Sequence, residues 1–159
     1  MYVHDDHRGR RTIERDVRGL LGSVDIATYY RGIGRWSRER LILCATDDTG
    51  ALCYQWFSSP GTENEILLDP TDLPLPSVGR YGATRACILH NHPSYCATPS
   101  ATDFEATRTM LKLRPADVVL VDHIIICRGG GYFCFKGLSL AGIDWINTVM
   151  VTPSIVVAL

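Results

Sequence analysis

Residues 88–103 read "ILHNHPSYCATPSATD". His90 and His92 stand two apart at the end of an apolar run. Side chains two apart on a strand point to the same face, so both imidazoles aim at one spot. Pro93 cannot continue a ladder, and the chain leaves the sheet there. Taken alone, such a histidine pair is more often a core or surface pair than a metal site. The downstream residues add weight. Ser100 follows after a loop of seven residues, and Asp103 after two more. Ser-x-x-Asp ahead of a helical run is a capping box, with Ser100 at the N-cap and Asp103 at N3. The same cap fixes the first helical turn and so holds a carboxylate in place. Two imidazoles and one carboxylate leave a fourth position open, which is the pattern of a catalytic zinc rather than a structural one.

The flanking segments supply a frame. "ACILHNH" is a strand without polar alternation, so both of its faces are covered. "SATDFEATRTMLKL" is a helix. "DVVLVDHIIIC" is the most apolar strand and is rich in β-branched residues. "RGGG" is a tight turn and "YFCFKG" the answering strand. Upstream, "RLILCATDDTGALCYQWF" reads as a β-hairpin, "ENEILLDP" as a third strand ended by Pro70, and "TDLPLPSVGRYG" as a loop with room for a short helix. Residues 12–34 carry helical spacing, with Ile13, Val17, Leu20 and Leu21 on one stripe, and residues 1–11 read as disordered. The order is helix, three strands, loop, strand, helix, two strands, tail. That predicts an α/β fold, a mixed β-sheet with helices packed on its faces, in a single domain. The boundaries are an Arg-rich arm or helix over 1–23, the domain over 24–140 and an apolar tail over 141–159.

The spacing of His90, His92, Ser100 and Asp103 resembles the JAMM motif of the JAB/MPN metalloprotease family. The fuller run "HNHPS…TPSATD", followed by "VDHIII", resembles the RadC-like branch of that family, over roughly residues 25–140. The resemblance implies a cytidine-deaminase-like architecture, Zn2+ held by His90, His92 and Asp103, and Ser100 as donor to an oxyanion. It implies hydrolysis of a peptide or isopeptide bond, with a protein or peptide substrate. The family also uses a glutamate just ahead of its first apolar strand. "SRERLILCATD" places Glu39 there, with Glu63 and Glu65 as rivals in the stretch read as the third strand. Two departures stand out. RadC-like proteins usually carry Gly-Asp after His-Asn-His-Pro-Ser, where this chain has Tyr95 and Cys96. Relatives also carry an N-terminal helix-hairpin-helix module, which is expected to be absent here.

Asp122 and His123 lie within the apolar strand, where a buried polar group needs a partner. Either one braces a ligating imidazole or the two form a satisfied core pair. His4 and His7, in "HDDH", could bind metal only adventitiously.

Composition is that of an ordinary globular chain, with 46% apolar and 21% charged residues in 159. There is no apolar run of membrane-crossing length and no signal-peptide pattern, which predicts a cytoplasmic protein. The six cysteines form no C-x-x-C pair and read as reduced. The net charge of −1 divides into +3 over residues 1–40 and −4 over the rest. The arm is therefore either solvated or a contact for nucleic acid. The apolar tail either covers a sheet edge or joins a second copy. Two rival functions remain open: a DNA-associated factor that binds nucleic acid or hydrolyses phosphodiesters, and a metal-free scaffold.

Overall fold

A computed structural model describes residues 1–137. The expected roles of the tail fall outside the described residues. Among the described residues there are seven strands: β1 (Tyr2–Asp6), β2 (Arg11–Glu14), β3 (Leu41–Thr46), β4 (Leu52–Phe57), β5 (Arg85–His92), β6 (Val119–Cys127) and β7 (Tyr132–Cys134). Two α-helices join them, α1 (Ser23–Tyr30) and α2 (Ala101–Leu113), with four short 3-10 helices. The sheet order is β2-β1-β4-β3-β5-β6-β7. The β1–β4 and β5–β6 pairs are parallel and the rest antiparallel, so the sheet is mixed.

β5 is an interior strand between β3 and β6, and its two faces feed separate cores. Leu43, Ile88, Met110, Leu120 and Phe135 pack on the α2 face. Ile26, Tyr30, Ile42, Leu89 and Ile124 pack on the α1 face. A strand covered on both sides has no use for polar alternation, which is why β5 reads as a continuous apolar run. Gly34 lets the 3-10 helix Arg31–Arg35 lie against β6. A Cβ there would stand 2.2 Å from the Cys127 carbonyl oxygen.

Three elements depart from the sequence reading. Residues 1–11 are ordered: β1 and β2 form a hairpin that joins the sheet beside β4. Their charges, which look like a solvated tail, neutralise one another. Arg11 pairs with Asp5 at 2.9 Å and Arg10 with Asp6 at 2.6 Å, while Asp6 also caps the turn through the Arg8 and Arg10 amides. The helix expected over 12–34 begins only at Ser23. Ile13 and Leu21 are exposed, and the backbone from Val17 to Leu20 instead bonds to Gly50 and Leu52. The strand expected in 63–69 is a loop. The place beside β4 is taken by β1 and β3, and Ile66 and Leu68 of the loop pack on the α2-face core instead.

A β-bulge lies where β5 meets β6. Ala86 pairs with Leu120 but Cys87 pairs with Asp122, leaving Val121 as an extra residue. Strict alternation from Leu120 would turn Asp122 to the α2 face. The extra residue reverses that phase, so His123, Ile125 and Cys127 face α2 and Asp122 faces α1.

Candidate metal centre

His90 and His92 close β5 on the α2 face, and α2 begins opposite them. The capping box is present as read. Ser100 Oγ accepts from the Asp103 amide at 3.1 Å, and Asp103 Oδ2 accepts from the Ser100 amide at 2.8 Å. Glu39 arrives from the segment before β3. Its amide donates to the Thr62 carbonyl at 2.7 Å, and its carbonyl accepts from the Gly61 amide at 2.8 Å. Gly61 admits this turn because a Cβ there would stand 2.1 Å from the Glu65 carbonyl oxygen.

Asn91, between the two histidines, has a role the sequence reading did not assign. It is fully buried and points away from the imidazoles. Its side-chain oxygen accepts from the Arg40 amide at 2.8 Å and its side-chain amide donates to the Arg38 carbonyl at 2.9 Å. The residues on either side of Glu39 are thus clamped by the residue between His90 and His92.

The hydrogen bonds around the imidazoles fix their tautomers. The Thr107 hydroxyl has one proton and donates it to the Asp103 carbonyl at 2.7 Å. It must therefore accept from His123 Nδ1, at 2.6 Å. Burial holds His123 well below the ordinary histidine pKa, so it is neutral and its Nε2 carries a lone pair. That lone pair accepts from His90 Nδ1 at 2.8 Å. Burial lowers His90 as well, against the pull of Asp103, so its Nε2 is a bare acceptor. His92 Nδ1 donates to the Cys96 carbonyl at 3.1 Å, which turns its Nε2 to the same point.

The two Nε2 atoms stand 3.2 Å apart. Asp103 Oδ1 is 3.3 Å from one and its Oδ2 is 3.2 Å from the other. Glu39 Oε1 is 3.9 Å from His92 Nε2. Lone pairs converge with no N–H or O–H among them, and that donor set fits a divalent cation. Ligand atoms of Glu39, His90 and His92 lie within 4.8 Å of one another, so this cluster could hold a metal. Burial lowers His92, but Asp103 and Glu39 outweigh it and raise its pKa.

The two carboxylates differ. Burial would push the Asp103 carboxyl up, but the His90 and His92 imidazoles, whenever one carries an Nε2 proton, and the Ser100 amide outweigh it and hold it well below the usual range. Burial pushes Glu39 up to about 7, with Asp103 and Glu65 adding to the effect and His92 opposing it. Glu63 and Glu65 lie exposed on the neighbouring loop.

The Thr107–His123–His90 chain makes a prediction. Thr107→Val keeps the shape but removes the acceptor that sets both tautomers. Metal affinity should fall by about 10–100-fold with the fold intact. Competition against a chromophoric chelator measures this, and an unchanged affinity would mean the chain does not orient His90.

Asp122 does not reach the imidazoles. It is buried on the α1 face, where it accepts from the Ser23 hydroxyl and from the His123 and Lys136 amides. Of the two residues, only His123 contacts a candidate ligand. Burial pushes the Asp122 carboxyl up to about 6, against those three bonds. A carboxyl raised on folding contributes stability below its unfolded pKa and loses it as pH rises through the folded value. The loss between about pH 4 and pH 6 should be on the order of 3 kcal/mol. Asp122→Asn should flatten that part of the stability curve, read by urea unfolding at a series of pH values. Identical curves for the two proteins would contradict the assignment.

His4 and His7 do not build a second site. His4 Nδ1 bonds the Gln55 side chain at 3.1 Å and its ring meets Phe57 edge-on, while His7 is exposed in the turn. All six cysteines are unpaired. Among the described residues, no helix is long and apolar enough to cross a membrane.

The family model for the RadC-like JAB domain matches residues 22–140, three quarters of the chain. The chain belongs to the RadC-like JAB domain family. The RadC-like match covers the sheet from β3 onward, α1, α2 and every residue of the candidate metal cluster. Curated relatives agree. A UPF0758 protein of Thermotoga maritima is 30% identical over 130 residues, covering 81% of this chain and 58% of its own length. UPF0758 proteins of Acaryochloris marina and Trichodesmium erythraeum are 36% and 41% identical over 94 residues, each alignment covering 58% of this chain and 38% of the relative. The chain thus spans roughly two fifths to three fifths of the relatives it matches.

Proposed function

We propose that this RadC-like domain is a zinc-dependent hydrolase of the JAMM type that cleaves a peptide or isopeptide bond. The observation that carries the reading is the convergence of the His90 and His92 Nε2 atoms and the Asp103 carboxylate on one point, with Glu39, a second carboxylate of raised pKa, beside them. His90, His92 and Asp103 would hold the ion. A zinc ion there supplies Lewis acidity, polarising a carbonyl and bringing the pKa of water to about 7.

The protein's own groups do the rest. Asp103, already ionised and fixed by the cap, serves as the anionic ligand. Glu39 is poised near neutrality, so it can take a proton from the attacking water and return it to the leaving amine. Asn91 and the Gly61–Thr62 turn hold Glu39 for that transfer from both sides. Ser100 uses its oxygen as an acceptor in the cap, which leaves its O–H proton free to donate to a developing oxyanion.

Ser100 provides the test. If it only caps α2, Ser100→Ala costs about 1 kcal/mol of stability and Ser100→Asp restores it. If it also donates to the oxyanion, Ser100→Ala lowers turnover about a hundredfold or more with zinc still bound. Ser100→Asp is then worse, because a carboxylate only accepts. We expect the second pattern, in assays of peptide hydrolysis alongside zinc content. Full activity of a stable, zinc-loaded Ser100→Asp protein would reduce Ser100 to a cap.

A further inference from the structure

The cluster stands where two clefts meet. One, of about 640 Å³, runs between α2 and the 62–70 loop. Its apolar lining comes from Leu41, Ile66, Leu68, Ala106 and Met110. The other, of about 290 Å³, runs past His92, Pro93 and Ser94. Glu39, Asn64 and Ser100 line both, so the reacting bond would lie at the junction with chain extending either way. A groove of this size with an apolar floor and few polar groups is what a side chain from a partner molecule fills.

The charge along the clefts has one sign. Neither is lined by any Lys or Arg. Besides Glu39 and Asp103 they carry Glu63, Glu65 and Glu105. Glu105 is neutralised by Arg108 at 2.6 Å. Glu63 and Glu65 are exposed, and neither has an ion-pair partner among the described residues. Asn64 between them lines both clefts, so these two acids flank the junction. An acidic rim repels a phosphate backbone and attracts a cationic chain.

We infer that the clefts take an extended polypeptide with a large apolar residue seated between α2 and the 62–70 loop and Lys or Arg beside it, facing Glu63 and Glu65. This rests on the hydrolase reading for where the scissile bond lies, but the binding preference stands apart from it. The groove floor selects the apolar residue by burial, and the two glutamates select its neighbours by charge.

The test is fluorescence anisotropy with the zinc-loaded Glu39→Gln chain, which binds without turnover. The probes are end-capped short peptides: Leu flanked by Lys, Leu flanked by Glu, and Gly flanked by Lys, with a short oligothymidine as the nucleic-acid probe. The Leu–Lys peptide should bind about tenfold tighter than the Leu–Glu peptide, as expected for two or more exposed charge pairs at 1.4 kcal/mol per decade. It should also bind about tenfold tighter than the Gly–Lys peptide, from the loss of an apolar anchor. Glu63→Lys combined with Glu65→Lys should reverse the charge preference. Because both sites are exposed loop positions, that variant should keep the wild-type melting temperature. Equal affinities, a preference for the Leu–Glu peptide or oligothymidine, or a preference unmoved by the double substitution would each overturn the inference. Charge-dependent binding by a wild-type protein that cleaves nothing would keep the groove assignment and remove the hydrolase. Cleavage indifferent to flanking charge would do the opposite.

Discussion

Glu39→Gln should lower the turnover of a peptide substrate by about 10²–10⁴-fold, the usual contribution of a positioned general base. Zinc content should stay at the wild-type level. The amide keeps the volume and the backbone clamp from Asn91, Thr62 and Gly61, but it cannot accept a proton. The acidic limb of the pH–rate profile should vanish with it, since Glu39 is the carboxyl that burial pushes up to about 7. Glu65→Gln is the control. Glu65 is exposed and acts on Glu39 through its charge, so on a peptide without flanking charge its loss should leave most of the turnover. An active Glu39→Gln beside a dead Glu65→Gln would mean the proton acceptor sits on the loop.

The second large effect is on the metal. His92→Ala or Asp103→Ala should lose stoichiometric zinc. Deleting one of three protein ligands removes more than the 10–100-fold lost with an outer partner such as Thr107. Asp103→Asn separates charge from shape. Its oxygen can still accept from the Ser100 amide and keep the cap, but the anion is gone. A folded Asp103→Asn that elutes without zinc would assign the carboxylate as ligand rather than merely as cap. Wild-type zinc content in either alanine variant would remove the site.

What could be read from the sequence follows from how local each feature is. His90 and His92 share a face because strand periodicity is two. Ser100 and Asp103 cap α2 because the box spans four consecutive residues. Both are short-range rules and both hold in the structure. Glu39 could be placed only by resemblance, because its neighbour His92 is distant in sequence and reaches it through sheet pairing. The role of Asn91 is hidden for the same reason: its partners, Arg38 and Arg40, lie just ahead of β3 and meet it only through the β3–β5 pairing. Nothing in "VVLVDHIII" marks Val121 as the extra residue, yet the bulge alone decides that His123 rather than Asp122 meets His90. The N-terminal hairpin was missed because its carboxylates and arginines find one another only after the strands pair. Residues 63–69 have a strand's composition, but they form a loop whose Ile66 and Leu68 pack on the α2-face core without joining the sheet.

The central claim, a metal held by His90, His92 and Asp103, is tested most directly by anomalous diffraction at the zinc edge from crystals of the purified protein. The account predicts one strong peak about 2.0–2.2 Å from His90 Nε2, His92 Nε2 and an Asp103 carboxylate oxygen, with Glu39 outside bonding distance. A peak bonded to Glu39 in place of Asp103, or no peak at the cluster in a protein grown and purified with zinc, would contradict it.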